Sequence, residues 1–171
     1  MPRYVAFLRG VSPMNLRMAD LKQSLEQAGL KDVKTLLSSG NAAFTTTARS
    51  DVAVARIVEK ALEKHPGRAF PTIVRRSDHL LALLHADPYA AFKLSPKAKR
   101  IVTFLREPHA ATLRLPIASD GARILAMDDG HVFSAYLPSP RGPVFMALIE
   151  KTFGTGVTTR TWDTVRKCAA A

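Results

Sequence analysis

The chain has 171 residues, 25 of them Lys or Arg against 14 Asp or Glu, which leaves a formal net charge of +11. Hydrophobic residues make up 47%, enough to bury a core, so the composition excludes a disordered chain and fits neither collagen, coiled coil nor disulfide scaffold. The length suits one ordinary domain or two small ones.

The lone cysteine, Cys168, cannot form an internal disulfide. The apolar N-terminal stretch is interrupted by Arg9 and is too short for a signal sequence. No stretch approaches the roughly 20 apolar residues that cross a bilayer. The expectation is a cytoplasmic protein with no membrane partner. The charge is spread evenly: residues 1–85 carry net +6 and residues 86–171 net +5. It suggests an anionic partner or a solvated basic surface.

In chain order, residues 3–11 read as a strand. Met18, Leu21, Leu25 and Ala28 share one helical face, with Gly29 as its stop. Lys31–Ser38 and Ala42–Thr47 read as a hairpin turning at Ser39-Gly40-Asn41. Ser50 is placed to cap a helix that runs to about His65, and Phe70–Arg76 reads as a strand. Ser77 is placed to cap the next helix, which Asp87-Pro88 ends. After a connector, Arg100–Arg106 reads as a strand and Glu107–Pro116 as a short helix. Arg123–Met127 and Val132–Leu137 form a hairpin through Asp128-Asp129-Gly130-His131. Pro138–Pro143 is a loop, Val144–Phe153 a helix, and Thr161–Lys167 a final helix.

The segment Arg3-Tyr-Val-Ala-Phe-Leu-Arg-Gly10 is echoed by Arg100-Ile-Val-Thr-Phe-Leu-Arg-Glu107, with five of eight positions identical. Each opens a unit that continues helix, hairpin, helix. The expected fold is therefore α+β, built from two tandem ferredoxin-like β-α-β-β-α repeats with antiparallel sheets and helices on one face. Residues 1–76 would form the first repeat, 77–99 a linking helix and connector, and 100–171 the second repeat with the C-terminal helix.

Three motifs carry a resemblance: Tyr4-Val-Ala-Phe-Leu-Arg-Gly10, Leu37-Ser-Ser-Gly-Asn41 and Thr158-Thr-Arg-Thr-Trp162-Asp-Thr-Val165, with Met18-Ala-Asp-Leu21 in support. On these the chain resembles the DUF1697 family, small bacterial proteins of unknown function. The resemblance implies two ferredoxin-like repeats. It departs at Val11-Ser-Pro-Met-Asn15, which replaces the glycine-rich loop of many members, and at Thr161, which stands for the Asn beside the Trp.

The candidate anion-binding residues are Arg9, Gly10, Ser39, Gly40, Asn41, Thr159, Arg160 and Trp162. Arg9-Gly10 sits where a strand enters a loop, a place where Arg holds phosphate or carboxylate through its fork of donors, or else pairs with a nearby acid. Ser39-Gly40-Asn41 offers donors to an anion, or is only a turn. Thr159 to Trp162 offers a hydroxyl and free N–H groups at a helix start, or is only a cap with Trp162 as core anchor. Arg160 there faces an unfavourable helix dipole, so something negative should offset it. Alternation puts Phe7 and Phe104 on strand faces flanked by arginines, where they stack bases if exposed and fill a core if buried. The histidines and Asp128-Asp129 lack the spacing of a metal site, and no nucleotide-loop or nucleophile-elbow motif occurs. No metal or cofactor is expected. The functional expectation is a non-catalytic binding module for nucleic acid or another polyanion. The alternative is a protein or enzyme that binds a small anion or phosphorylated metabolite near Arg9, Asn41 and Arg160.

Overall fold

The computed structural model describes residues 1–138 and 143–171. The expected loop Pro138–Pro143 lies mostly outside the described residues. The chain divides into two compact units, Met1–His85 with Arg166–Ala171, and Ala86–Val165. The fold is α+β, with five helices and two antiparallel sheets among the described residues.

The first unit runs β1 (Arg3–Leu8), α1 (Met18–Gln27), β2 (Lys31–Leu36), β3 (Asn41–Thr45), α2 (Asp51–Lys64), β4 (Thr72–Arg76) and α3 (Ser77–Ala86). Its sheet order is β2-β3-β1-β4. Tyr4, Ala6 and Leu8 share one face of β1 and pack with Leu21 and Leu25 of α1 and with Val54, Val58 and Leu62 of α2. The two helices thus cover one face, as the amphipathic spacing requires. Gly29 takes φ 90°, and the amide of Leu30 donates to the carbonyl of Leu25 at 3.2 Å, which closes α1. Ser50 caps α2: its hydroxyl accepts from the Ala53 amide at 2.9 Å. Ser77 does not cap α3. It is the helix's first residue, and its hydroxyl is buried without a hydrogen-bond partner.

The second unit holds β5 (Lys99–Phe104), β6 (Ile117–Ser119), β7 (Ala122–Met127), β8 (His131–Tyr136), α4 (Val144–Phe153) and β9 (Thr158–Thr161). The last helix, α5 (Trp162–Ala169), starts in this unit and ends in the first. The sheet order is β6-β7-β8-β5-β9. Ile101, Ile124 and Val132 pack against Phe145, Leu148 and Ile149 of α4. Two expectations fail here. Residues 105–116 contain no helix, because Pro108 and Pro116 bracket a stretch too poor in apolar periodicity to hold one. β6 forms instead, at the sheet edge. Thr158–Thr161 is also a strand and not the approach to a helix; threonine is a strong strand former once a neighbouring strand supplies the hydrogen bonds.

Without β6, the second order reads β7-β8-β5-β9, the same connectivity as β2-β3-β1-β4. Equivalent bonds recur in detail. The amide of Leu8 donates to Gly40 O at 2.9 Å, and that of Leu105 to Gly130 O at 2.9 Å. Val5 lies opposite Arg75, and Val102 opposite Arg160.

Candidate anion-binding residues

Five of the candidates gather at one end of the first sheet. β1 ends at Leu8, beside Gly40 at the start of the β3 side, and the Arg9 amide donates to Pro71 O at 2.9 Å. Gly40 is there for space: a Cβ would stand 2.8 Å from the Val11 side chain and 3.0 Å from that of Leu8, and its φ is +90°. Asn41 is fully buried. Its side-chain amide donates to Leu36 O at 3.0 Å and to Ser39 Oγ at 2.9 Å, closing the hairpin from inside. Gly10 takes φ +78° with open space around it, and its carbonyl accepts from the Asn15 side-chain amide at 2.8 Å. The structural reading therefore accounts for Gly40 and Asn41.

Arg9 is different. Its guanidinium is half-buried and forms no hydrogen bond or ion pair among the described residues. Of the two alternatives, pairing with a nearby acid is not seen among the described residues.

The other three candidates lie on β9 and at the start of α5. Thr161 is the cap of α5, not Thr159: the Thr164 amide donates to Thr161 Oγ1 at 3.1 Å. Arg160 belongs to the strand, so the helix dipole does not act on it as expected at a helix start. Its Nη1 donates to Thr159 O at 2.9 Å, and Arg75 of β4 does the same to Val74 O at 2.9 Å. The sequence signal for this pairing is the shared Arg-x-x-Asp of Arg75 to Asp78 and Arg160 to Asp163. Trp162 packs edge-on against Tyr89, with centroids 5.2 Å apart, and against Phe133 at 6.2 Å. Tyr89 donates its hydroxyl to Ile101 O at 2.7 Å, and burial pushes that phenol's pKa up.

Phe7 and Phe104 are both 0% exposed. The base-stacking platform is absent at these positions. At the β7–β8 turn the Asp128 carboxylate accepts from the amides of Gly130 at 2.9 Å and His131 at 2.8 Å, and its Oδ1 lies 2.9 Å from His131 Nδ1. Burial raises its pKa, but these hydrogen bonds, that of the His131 ring foremost, outweigh it and hold the carboxyl below the usual aspartate value. Among the described residues, no group of three His, Cys, Asp or Glu is placed to hold a metal ion. No helix among them is long and apolar enough to cross a membrane.

The sequence reading missed Arg123 and Arg100. In the sequence Arg100 stands out as the first residue of the echoed strand segment, and Arg123 as the start of a strand. Arg100 lies with its guanidinium 5.7 Å from the Tyr89 ring centre. Arg123 is half-buried and its side chain, like that of Arg9, has no hydrogen bond or ion pair among the described residues.

Two antiparallel sheets with this strand order and these motifs define a class of small α+β protein. Residues 1–133 match the family described as "Protein of unknown function (DUF1697)", and the chain belongs to that family. A solved structure described as "conserved bacterial protein SP0830 from Streptococcus pneumoniae" has a similar fold, with TM-score 0.72 at 20% identity, over 99% of this chain and 97% of that one. No curated protein matches the chain.

Proposed function

We propose that the protein is a cytoplasmic, non-catalytic binding module for a polyanion, with nucleic acid as the leading partner, and that it grips phosphates without reading bases. One observation carries this. From Pro88 to Arg106 there is no acidic residue, while Lys93, Lys97, Lys99, Arg100 and Arg106 are all exposed. A run of exposed cations with no acid among them in sequence attracts phosphate and releases its counterions. The burial of Phe7 and Phe104 supports a backbone grip over stacking. Fluorescence anisotropy with single-stranded and duplex oligonucleotides, from low to physiological salt, tests it. Binding should be tightest at the lowest salt and indifferent to base sequence, and replacing Lys97 and Lys99 by Ala should flatten the salt slope by about 1.5 to 2. No binding at low salt would overturn it.

The same proposal takes the two sheets as two ferredoxin-like repeats. The common strand order, the Leu8–Gly40 and Leu105–Gly130 bonds and the Arg75/Arg160 match support this. The second repeat has then lost its first helix and gained β6.

A second reading, a small anion such as a phosphorylated metabolite, rests on the Arg9 guanidinium alone, which has no partner among the described residues. Asn41 and Arg160 add little, since both already donate to main-chain carbonyls. Thermal-shift screening with phosphates and carboxylates tests it; hits that Arg9→Ala leaves unchanged would remove it.

A further inference from the structure

Two loops meet at the end of the first sheet where β1 stops. Residues 9–17 link β1 to α1, and residues 37–40 join β2 to β3. They touch, since a Cβ at Gly40 would stand 2.8 Å from Val11 Cγ2. Each loop is closed by its own hydrogen bonds. The Asn15 side-chain amide donates to Gly10 O at 2.8 Å, and its Oδ1 accepts from the Ser12 amide at 2.9 Å. Asn41 closes the other loop through Leu36 O and Ser39 Oγ. These bonds use neither the Met14 nor the Leu37 side chain.

Yet both loops hold a large apolar side chain in water. Met14 is 95% exposed and Leu37 51%. Leu37 also takes φ 59°, a left-handed conformation that disfavours a bulky residue and suits Gly or Asn. The fold gains little from leucine at such a position. A residue that breaks a local rule without a packing gain points to a contact made with something outside the chain.

The surroundings are basic. Residues 1–19 and 33–50 contain no Asp or Glu. Arg9 is half-buried, and its guanidinium has no hydrogen bond or ion pair among the described residues. Arg17 is exposed at the start of α1, where it meets Asp20 at 3.2 Å on the surface. The bond from the Arg9 amide to Pro71 O brings the approach to β4 to the same end, and that segment carries the exposed Arg68.

We propose that this end of the first unit is a docking surface for an anionic lipid bilayer. Met14 and Leu37 enter the interface, while Arg9, Arg17 and Arg68 meet headgroup phosphates. Apolar area and basic charge, each weak alone, add in such a contact. Isolated apolar side chains on two short loops need no matching pocket in a lipid surface, whereas a protein partner has to supply one. A second copy would set these arginines against themselves. A polynucleotide offers phosphates but no aliphatic layer for Leu and Met. The expectation of no membrane partner rested on the lack of a spanning stretch, which a surface contact does not need. The proposal is independent of the polynucleotide grip along residues 88–106.

The test uses the full chain with two kinds of vesicle, phosphatidylcholine alone and phosphatidylcholine mixed with phosphatidylglycerol, in co-sedimentation at low and physiological salt. Saturable binding to the mixed vesicles that Leu37→Asn and Met14→Ser each weaken about tenfold supports the proposal. Leu37→Asn should at the same time keep or raise the melting temperature, because Asn tolerates the left-handed turn. A purely structural Leu37 would show the reverse, a lower melting temperature with vesicle binding unchanged. Val52→Ser, which removes an exposed valine from the start of α2, should leave vesicle binding as it is. If Leu37→Asn does not fold, Met14→Ser, at the most exposed of these side chains, serves the same purpose. Vesicle binding that both substitutions leave unchanged is attraction by net charge alone and overturns the proposal, as does no binding to the mixed vesicles at low salt. Self-association that both substitutions abolish, without vesicle binding, overturns it in favour of a second copy.

Discussion

Gly40 occupies a position at the end of the first sheet where a methyl group would lie 2.8 Å from Val11. Gly40→Ala should therefore destabilise the protein by about 2 kcal/mol or more, from overpacking combined with a positive φ, and calorimetry would read it. The turn at Asp128 is held by charge as well as geometry. Its carboxyl pKa is lowered in the fold, so its contribution is present above the ordinary value of 3.8 and is lost as pH falls through the lower folded value. Asp128→Ala should cost about 1 kcal/mol at neutral pH, a small figure because the side chain is 51% exposed. The difference from the parent should vanish in acid, which melts at pH 7 and below pH 3.8 would compare. Phe104→Ala should cost about 3–5 kcal/mol. If base stacking were its role, stability would hardly change while oligonucleotide affinity fell. At this scale the sequence left the roles of Ser39, Gly40, Asn41 and Thr161 open, because a turn, a cap and an anion site all use Ser, Thr, Gly and Asn.

The elements divide by where their stabilising contacts come from. α1, α2 and α4 have apolar stripes of their own and were legible from spacing alone, as was the cap of α2. Ser50→Ala should cost about 1 kcal/mol. For α5, Thr161→Ala should cost a similar amount, while Thr159→Ala should cost less, since Thr159 Oγ1 touches only the Met146 sulfur at 4.0 Å. Chemical denaturation of the three variants would check the ranking; equal losses at 159 and 161 would contradict the cap assignment. β6 and β9 were not legible. Each is an edge strand of three or four residues with no apolar alternation, and its pairing partners lie 5 and about 57 residues away in sequence. Local pattern carries no signal for such a strand.

At the scale of the whole molecule the net charge of +11 acts against compactness. Exposed ion pairs such as Arg17–Asp20 and Arg76–Asp78 contribute little against it. Self-repulsion of this kind is screened by salt. The melting temperature should rise as ionic strength increases from low to physiological values, while affinity for any polyanion falls over the same range. Thermal melts and binding isotherms in one salt series would check both; a melting temperature that fell with salt would show that specific ion pairs outweigh the general repulsion.

By itself the sequence determined the α+β class, the helical stripes of both units, the β7–β8 turn and the family, because each is written in local spacing or in a contiguous motif. It also showed that the charge belongs to both halves equally. Only the tertiary structure decided that Phe7 and Phe104 are buried, that Arg160 sits on a strand, and that Arg100 and Arg123 share a row across Ala135. The physical reason is that burial and cross-strand neighbours depend on register between segments distant in the chain. Register brings Arg100 and Arg123, twenty-three positions apart, to opposite sides of one methyl group.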